Sequence, residues 1–447
     1  MPEDWNKRFI QSQLESARRP QDPAAEAVFC SARKSTLVDS DGNSWIDLVC
    51  GFSSLNFGHS FQPLVDVANQ QLTRLVHVGG AMHQPGIELA ETLLGLLYSQ
   101  CPLAGEQQYR VIFNSSGARG IEAAWKAATE YRPGRMVVLS PSLHGRSVAT
   151  ATLSETNQAA LSEMLGDRVT VWPKEKYPGS KAATSTGKDD GAGEIADYLA
   201  RNANEISALL VEPALTARGY IFPPSEFFLK LREVTLELGI LMIADEIQTG
   251  VGRCSNFLFS LDQGWLPDVI GLGKSLGGGL LPIAATLGRK DVLERLPPGA
   301  ESETFAGTPL ACSIANEVLR LLQSEAHFQR GCTVASQLRR DLREAFTPAP
   351  TSVGQVTIPV QVSGQAATAV IDFLAPEIPV DRAQKRAEMF ARLCATHRLR
   401  VQWTGPQRTR IVMLPALTIS DSELADATRR LAATVSEFLA KLESDAI

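Results

Sequence analysis

The middle of this chain alternates short β-rich runs with helical stretches, and that alternation constrains the fold more than any other feature. Val111–Phe113, Arg135–Leu139, Ala208–Val211, Ile240–Ala244, Val269–Leu272 and Ile283–Leu287 have the apolar, β-branched character of strands. Between them, Ile121–Tyr131 and Glu226–Leu238 carry the apolar spacing of helices. Strands and helices taken in turn predict an α/β fold with a mostly parallel sheet flanked by helices. The 447 residues exceed what one hydrophobic core organises, so about two or three domains are expected. From about Val334 the pattern becomes helix-rich. Residues 61–330 are therefore expected to form a large domain, and residues 334–447, joined by residues 1–60, a smaller α+β domain built from both termini. Gly179–Gly193 has almost no apolar content and is expected to be a mobile surface insertion rather than a boundary.

Charge and cysteine usage narrow the function classes. A net charge of −6 argues against nucleic acid or an anionic membrane as partner, because both require basic patches. No apolar run approaches the roughly 18 residues of a membrane span, and the start, MPEDWNKRF, lacks a signal peptide's basic and apolar regions. The seven cysteines are scattered and form no CxxC pair, so neither a disulfide framework nor a metal site is indicated and a cytoplasmic location is expected.

Four patches at expected strand ends carry chemistry, and ligand sites of open α/β sheets lie at the carboxyl ends of strands. In the first, an apolar strand runs into Asp245-Glu246-Ile247-Gln248. A buried carboxylate is costly without a partner, so Asp245 either meets a cation or merely ends the strand. In the second, Lys274 ends an apolar strand ahead of Gly277-Gly278-Gly279. A lysine held there suits condensation with a carbonyl, since desolvation favours the neutral amine. Gly273-Lys274-Ser275 also matches the end of a nucleotide-binding P-loop, but that motif needs glycine where Asp268 stands. In the third, Asn114-Ser115-Ser116-Gly117-Ala118 opens a helix, whose free N–H groups suit a phosphate; such starts are also common caps. The fourth, Leu143-His144-Gly145, is as often structural as functional.

Together these patches resemble the class III aminotransferases, pyridoxal-phosphate enzymes of fold type I. The resemblance covers most of the chain. Asp39-Ser40-Asp41-Gly42-Asn43-Ser44-Trp45-Ile46-Asp47 is similar to the family's D-x-D-G-x-x-Y-x-D, and Asn56-Phe57-Gly58-His59 to its N-x-G-H. Asp245-Glu246-Ile247-Gln248-Thr249-Gly250 is similar to D-E-V-Q-T-G, and Thr304-Phe305-Ala306-Gly307-Thr308-Pro309-Leu310-Ala311 to T-F-x-G-N-P-L-A. Lys274 stands where the family's lysine precedes its glycines.

The resemblance implies a Schiff base between Lys274 and pyridoxal phosphate, with Lys274 later moving the substrate's α-proton. It implies that Asp245 keeps the pyridine nitrogen protonated, that Gln248 bonds the ring hydroxyl and that Ile247 presses on the ring. Ser116, Gly117 and Ala118 would hold the phosphate, while Leu143, His144 and Glu212 would line the cofactor. Thr304 would reach the phosphate of a neighbouring subunit, which implies a homodimer with shared active sites. Four departures stand beside these matches. Leu143 replaces an aromatic residue, Arg119 replaces a glutamate, Ala217 replaces a glutamate, and Val412 replaces the arginine that pairs with that glutamate, although Arg410 lies two positions away. Chemistry is thus expected to survive with altered substrate recognition. The main expectation is transfer of an amino group between an amine or amino acid and a keto or aldehyde substrate. Racemisation or decarboxylation by the same cofactor, and a degenerate binding protein, remain open alternatives.

Overall fold

Residues 27–154, 166–172, 191–347, 359–405 and 407–445 are described by a computed structural model. The chain divides into two units, one of Met1–Phe61 with Gln329–Ile447 and one of Gln62–Phe328.

In the first unit, β1 (Phe29–Arg33), β2 (Thr36–Asp39) and β3 (Ser44–Asp47) form an antiparallel meander. The acids of the first family-like motif hold it in shape. Asp39 accepts from the backbone N–H of Asn43 at 2.8 Å and of Asp41 at 3.1 Å, and from the Trp45 indole at 2.7 Å. These bonds close the β2–β3 turn, where Gly42 takes φ +80°. Asp47, fully buried, lies 2.8 Å from His59 Nε2 and accepts from the Val49 N–H. Burial pushes the Asp47 carboxyl up, but His59, Arg400 and the Val49 N–H outweigh it and hold the group below its ordinary range. The two N-terminal motifs therefore meet as a structural pair. A second sheet joins Gln361–Ser363, Ala369–Asp372, Arg410–Met413 and Gln402–Thr404 in that order, all antiparallel. Phe346, Phe373, Phe390 and Phe438 pack in its core at ring separations of 5.4–6.3 Å. On that sheet Arg410 sits opposite Asp372 and donates to it at 2.8 Å.

The second unit holds a seven-stranded sheet of β4 (Arg110–Asn114), β5 (Arg135–Leu139), β6 (Val169–Trp172), β7 (Ile206–Val211), β8 (Leu241–Asp245), β9 (Val269–Leu272) and β10 (Ala284–Gly288). Their order is β4-β10-β9-β8-β7-β5-β6, and β5 to β9 run parallel. β10 is antiparallel to both neighbours. The short connection Gly273–Ile283 has no room for the crossover helix that a parallel return needs. Every residue of β7, β8 and β9 is buried, as expected of a sheet covered on both faces. Six of these strands begin or end within one or two residues of the expected positions, β8 and β10 each starting one residue later, whereas β6 was not expected from the sequence.

Helix α1 (Gly117–Tyr131) starts earlier than its apolar periodicity indicated, because its first turn is built of small residues and Ser116 caps it. It packs hard on the sheet: a Cβ on Gly271 would come within 2.9 Å of Ile121 Cδ1. Helices α2 (Ser225–Leu238) and α3 (Pro309–Gln323) follow. Of the low-apolar stretch Gly179–Gly193, residues 179–190 lie outside the described residues, whereas Ala192 and Gly193 open the helix Ala192–Arg201 with Ala192 fully buried. That end of the stretch is thus structured, since Ile195 and Leu199 continue an apolar face across it. At the far end of the sheet, Asp268 accepts from Arg232, Arg289 and the Met242 N–H, so this buried acid is fully occupied with structure.

Candidate active site

The turn that follows β8, Asp245 to Gln248, touches three of the four patches singled out in the sequence. Asp245, buried, accepts from His144 Nδ1 at 2.7 Å and from the Ile247 N–H at 3.1 Å. This contact orients the imidazole and leaves His144 Nε2 buried without a hydrogen-bond partner among the described residues. The loop that carries His144 is fixed on both sides. The Ser154 hydroxyl accepts from the His144 N–H at 3.0 Å, and Glu212 accepts from the Leu143 N–H at 2.6 Å. Glu212 also takes the N–H and hydroxyl of Thr216. Burial pushes the Glu212 carboxyl above its ordinary range; His144 opposes that shift and Asp245 adds to it. Glu212 thus meets the loop and a turn of its own segment.

At the other end of the turn, Gln248 joins Lys274. The Lys274 amine donates to Gln248 Oε1, and Gln248 Nε2 donates to the Tyr220 hydroxyl at 2.8 Å. Lys274 stands two residues past the end of β9 and takes φ +42°, the left-handed region that side-chain-bearing residues seldom adopt. Backbone strain of that kind concentrates at functional sites. Tyr220, at φ +57°, is buried as well, on a loop pinned by paired backbone bonds between Leu215 and Ile221. Nothing in the periodicity of that loop marked Tyr220; its only signal was an aromatic next to glycine after Glu212-Pro213.

Ile247 faces the third patch. A Cβ on Gly117 would come within 2.8 Å of Ile247 Cδ1, so any larger residue at this helix start would push the Ile247 side chain aside. Ser116 caps the helix by accepting from the Arg119 N–H. The first N–H groups of a helix have no partner within it, and here they open beside the Asp245 turn. Asp245, His144, Glu212, Ile247, Gln248, Lys274, Ser116, Gly117 and Ala118 are thus gathered at the carboxyl edge of the sheet. Thr304 is set apart from them. It is exposed, its carbonyl accepts from His77 Nε2 at 2.7 Å, and the neighbouring Glu303 rather than Thr304 touches the helix start, through Ser115. Arg119 pairs with Glu122, Glu301 and Glu303, a cluster that sequence reading passed over except for Arg119 itself.

This donor set suits a flat, phosphate-bearing aldehyde. A helix start offers N–H groups to the phosphate, a buried acid stands ready for a ring nitrogen, an amine lies beside an amide, and a buried imidazole nitrogen has no hydrogen-bond partner among the described residues. The family model described as aminotransferase class-III matches residues 18–435. The acetylornithine aminotransferase of Mycobacterium bovis is 30% identical over 322 residues, covering 72% of this chain and 74% of the relative. The 5-aminovalerate aminotransferase of Pseudomonas aeruginosa is also 30% identical over 322 residues, covering 70% and 72%. Among solved structures, the ornithine aminotransferase of Toxoplasma gondii shares the fold at a TM-score of 0.76 and 24% identity, over 99% of this chain and 96% of that one. A second structure of that enzyme is described with pyridoxal phosphate at partial occupancy in its active site. With the site's geometry, these likenesses make the chain a member of the class III, pyridoxal-phosphate-dependent aminotransferase family.

Proposed function

We propose that Lys274 and Asp245 are the catalytic pair of this aminotransferase, and that its substrate recognition departs from the family's glutamate-linked pattern. The observation that carries the first half is the single turn Asp245–Gln248, which holds a buried acid at one end and the Lys274 amine at the other. When bound, pyridoxal phosphate supplies an electron sink for the carbanion left by loss of the substrate's α-proton. The chain's own residues do the rest. Lys274 holds the cofactor through its amine and then carries that proton. Asp245, fixed by His144, holds the ring nitrogen in its protonated form. Gln248 meets the ring hydroxyl, Ile247 backs the ring, and Ser116, Gly117 and Ala118 seat the phosphate at the positive end of α1. Leu143, standing where the family has an aromatic residue, would offer the ring only an apolar side chain, with Glu212 holding its loop.

The second half rests on Ala217 and Arg410. Ala217 has no carboxylate to offer, and Arg410 already donates to Asp372 on the neighbouring strand. A buried arginine opposite a substrate carboxylate gives strong charge-assisted binding, and its loss costs several kcal/mol. The amino donor is therefore a terminal amine on a short chain, of the kind named for the 5-aminovalerate and ornithine relatives, or a small amino acid such as alanine. Glutamate and 2-oxoglutarate serve poorly.

The working form is a homodimer with shared sites, in the cytoplasm. Leu72, Leu75, Val76, Met82, Ile87 and Phe305 are all exposed, Met82 by 92%, and His77 and His83 tie their segment to the Thr304 segment. Apolar exposure on that scale supports a protein interface that includes Thr304. All seven cysteines are free thiols and no helix among the described residues is long and apolar enough to cross a membrane. The experiment that tests the core assignment is borohydride reduction of the cofactor-loaded protein followed by peptide mapping. The label is expected on Lys274, and a label on any other lysine refutes it.

A further inference from the structure

We infer that Arg119 and Glu303 form a positioning pair that fastens the Thr304 segment to the phosphate seat at the start of α1. The inference rests on the reading above, in which Ser116–Ala118 serve the subunit's own phosphate and Thr304 that of the partner subunit.

Arg119 stands where the family has glutamate, so the sign of the charge on the first turn of α1 is reversed. A cation there is unfavourable to the helix on its own, because the positive end of the dipole lies beside it. The structure compensates with three acids. Arg119 pairs with Glu122 one turn on, with Glu303 at 3.3 Å through Nε, and with Glu301 at 3.6 Å. Glu303 and Glu301 come from the segment that leads directly into Thr304, far away in sequence. Glu303 is engaged on both oxygens. One accepts from Asn114 Nδ2 at 3.2 Å, and the other from the N–H and hydroxyl of Ser115. Burial pushes its carboxyl up, but Ser115, Asn114 and Arg119 outweigh that and hold it ionised, below its ordinary range. Lys126, one turn beyond Glu122, reaches Glu301 at 2.6 Å, so both acids of the segment have cations on α1. Glu122 also accepts from the Ser147 hydroxyl, just past the His144 loop.

Two consequences follow from this geometry. Ser115 spends its N–H and its hydroxyl on Glu303, which leaves Ser116, Gly117 and Ala118 as the donors for the phosphate. Thr304, adjacent to Glu303, is tied to that seat through it. Without Arg119, the Glu303 carboxylate would face a phosphate with no cation between them. The segment would then swing outward and carry Thr304 with it.

The test measures the release rate of pyridoxal phosphate from the holoenzyme, followed by loss of its visible absorbance after dilution into a trapping carbonyl reagent. Arg119→Met and Glu303→Gln should each speed release about fivefold, as loss of a part-buried ion pair would. The double variant should release no faster than the faster single one, because both changes break the same link. Arg119→Lys, which keeps the charge, should restore most of the wild-type rate. Any fall in the melting temperature of the apoenzyme should be small and should not track the release rates across the set; a fall that tracks them means that the pair is only structural and overturns the inference. Slower release from Glu303→Gln also overturns it, since Glu303 would then simply repel the phosphate, as do multiplying effects in the double variant. Thr304→Ala separates this idea from the reading beneath it. If Thr304→Ala speeds release while the pair variants are silent, the pair inference alone fails. If Thr304→Ala is itself silent, the role of Thr304 fails and the inference goes with it.

Discussion

Replacing Asp245 by Asn removes one charge and almost no volume, which makes its consequences calculable. Asp245 makes two bonds within the protein: the Ile247 N–H at 3.1 Å and His144 Nδ1 at 2.7 Å. An asparagine carbonyl keeps the first. The second is lost as it stands, because the amide turns N–H groups toward a ring nitrogen that also carries a proton. His144 can recover a bond by moving its proton to Nε2, but that atom is buried with no acceptor among the described residues. Either way one buried donor goes unsatisfied, at about 1–3 kcal/mol. That is a fraction of the roughly 5–15 kcal/mol that holds a folded protein together, so Asp245→Asn should fold and bind cofactor. Loss of the anion also lowers the Glu212 carboxyl, which Asp245 otherwise raises. The catalytic cost is larger. A neutral amide cannot keep the ring nitrogen protonated, and a bond to a charged partner is worth about 1.5–3 kcal/mol, so single-turnover amine transfer should slow by at least ten- to a hundredfold. Stopped-flow decay of the cofactor's visible band on mixing with an amine donor reads this directly, and thermal melting checks the fold. A variant that melts like wild type and turns over at a near-normal rate would show that Asp245 is only a structural acid and that the reasoning is wrong.

Lys274→Ala should abolish turnover while leaving the fold and its oligomer unchanged; residual amine transfer above background would move the catalytic amine elsewhere. Sedimentation at assay concentration should give a dimer or a higher even assembly, and an active monomer would remove Thr304 from any shared site. Glutamate should convert poorly and remain poor in Arg410→Ala; efficient conversion that collapses in that variant would mean Arg410 leaves Asp372 for the substrate. Asp47 gives a pH signature. Its folded carboxyl lies below its ordinary value of 3.8, so its stabilisation is complete above about pH 5 and fades as pH falls through the folded value. The urea midpoint of Asp47→Asn should accordingly lie well below wild type at pH 7, with the gap closing in acid. A gap that is constant with pH would contradict the linkage.

Local sequence determined what depends on neighbours along the chain. Strands β5 and β9 were legible to the residue because a strand buried on both faces must be continuously apolar, and a glycine or an acid ends it. Asp245 and Lys274 stood out for a related reason: each is a polar group at or just past the end of such a run. The apolar period of α1 starts only at Ile121 because its first turn carries no apolar side chain large enough to mark one, and only the fold shows Gly117 packed against Ile247. Tertiary structure decided everything that joins distant segments. β10 runs antiparallel because its connection is too short for a crossover. Asp245 finds His144 across about a hundred positions of sequence, and Gln248 finds Tyr220, which no pattern marked. Arg119 looked like a bare departure until the fold set Glu301 and Glu303 around it. A charge in the sequence states a cost, and only the folded chain supplies the partner that offsets it.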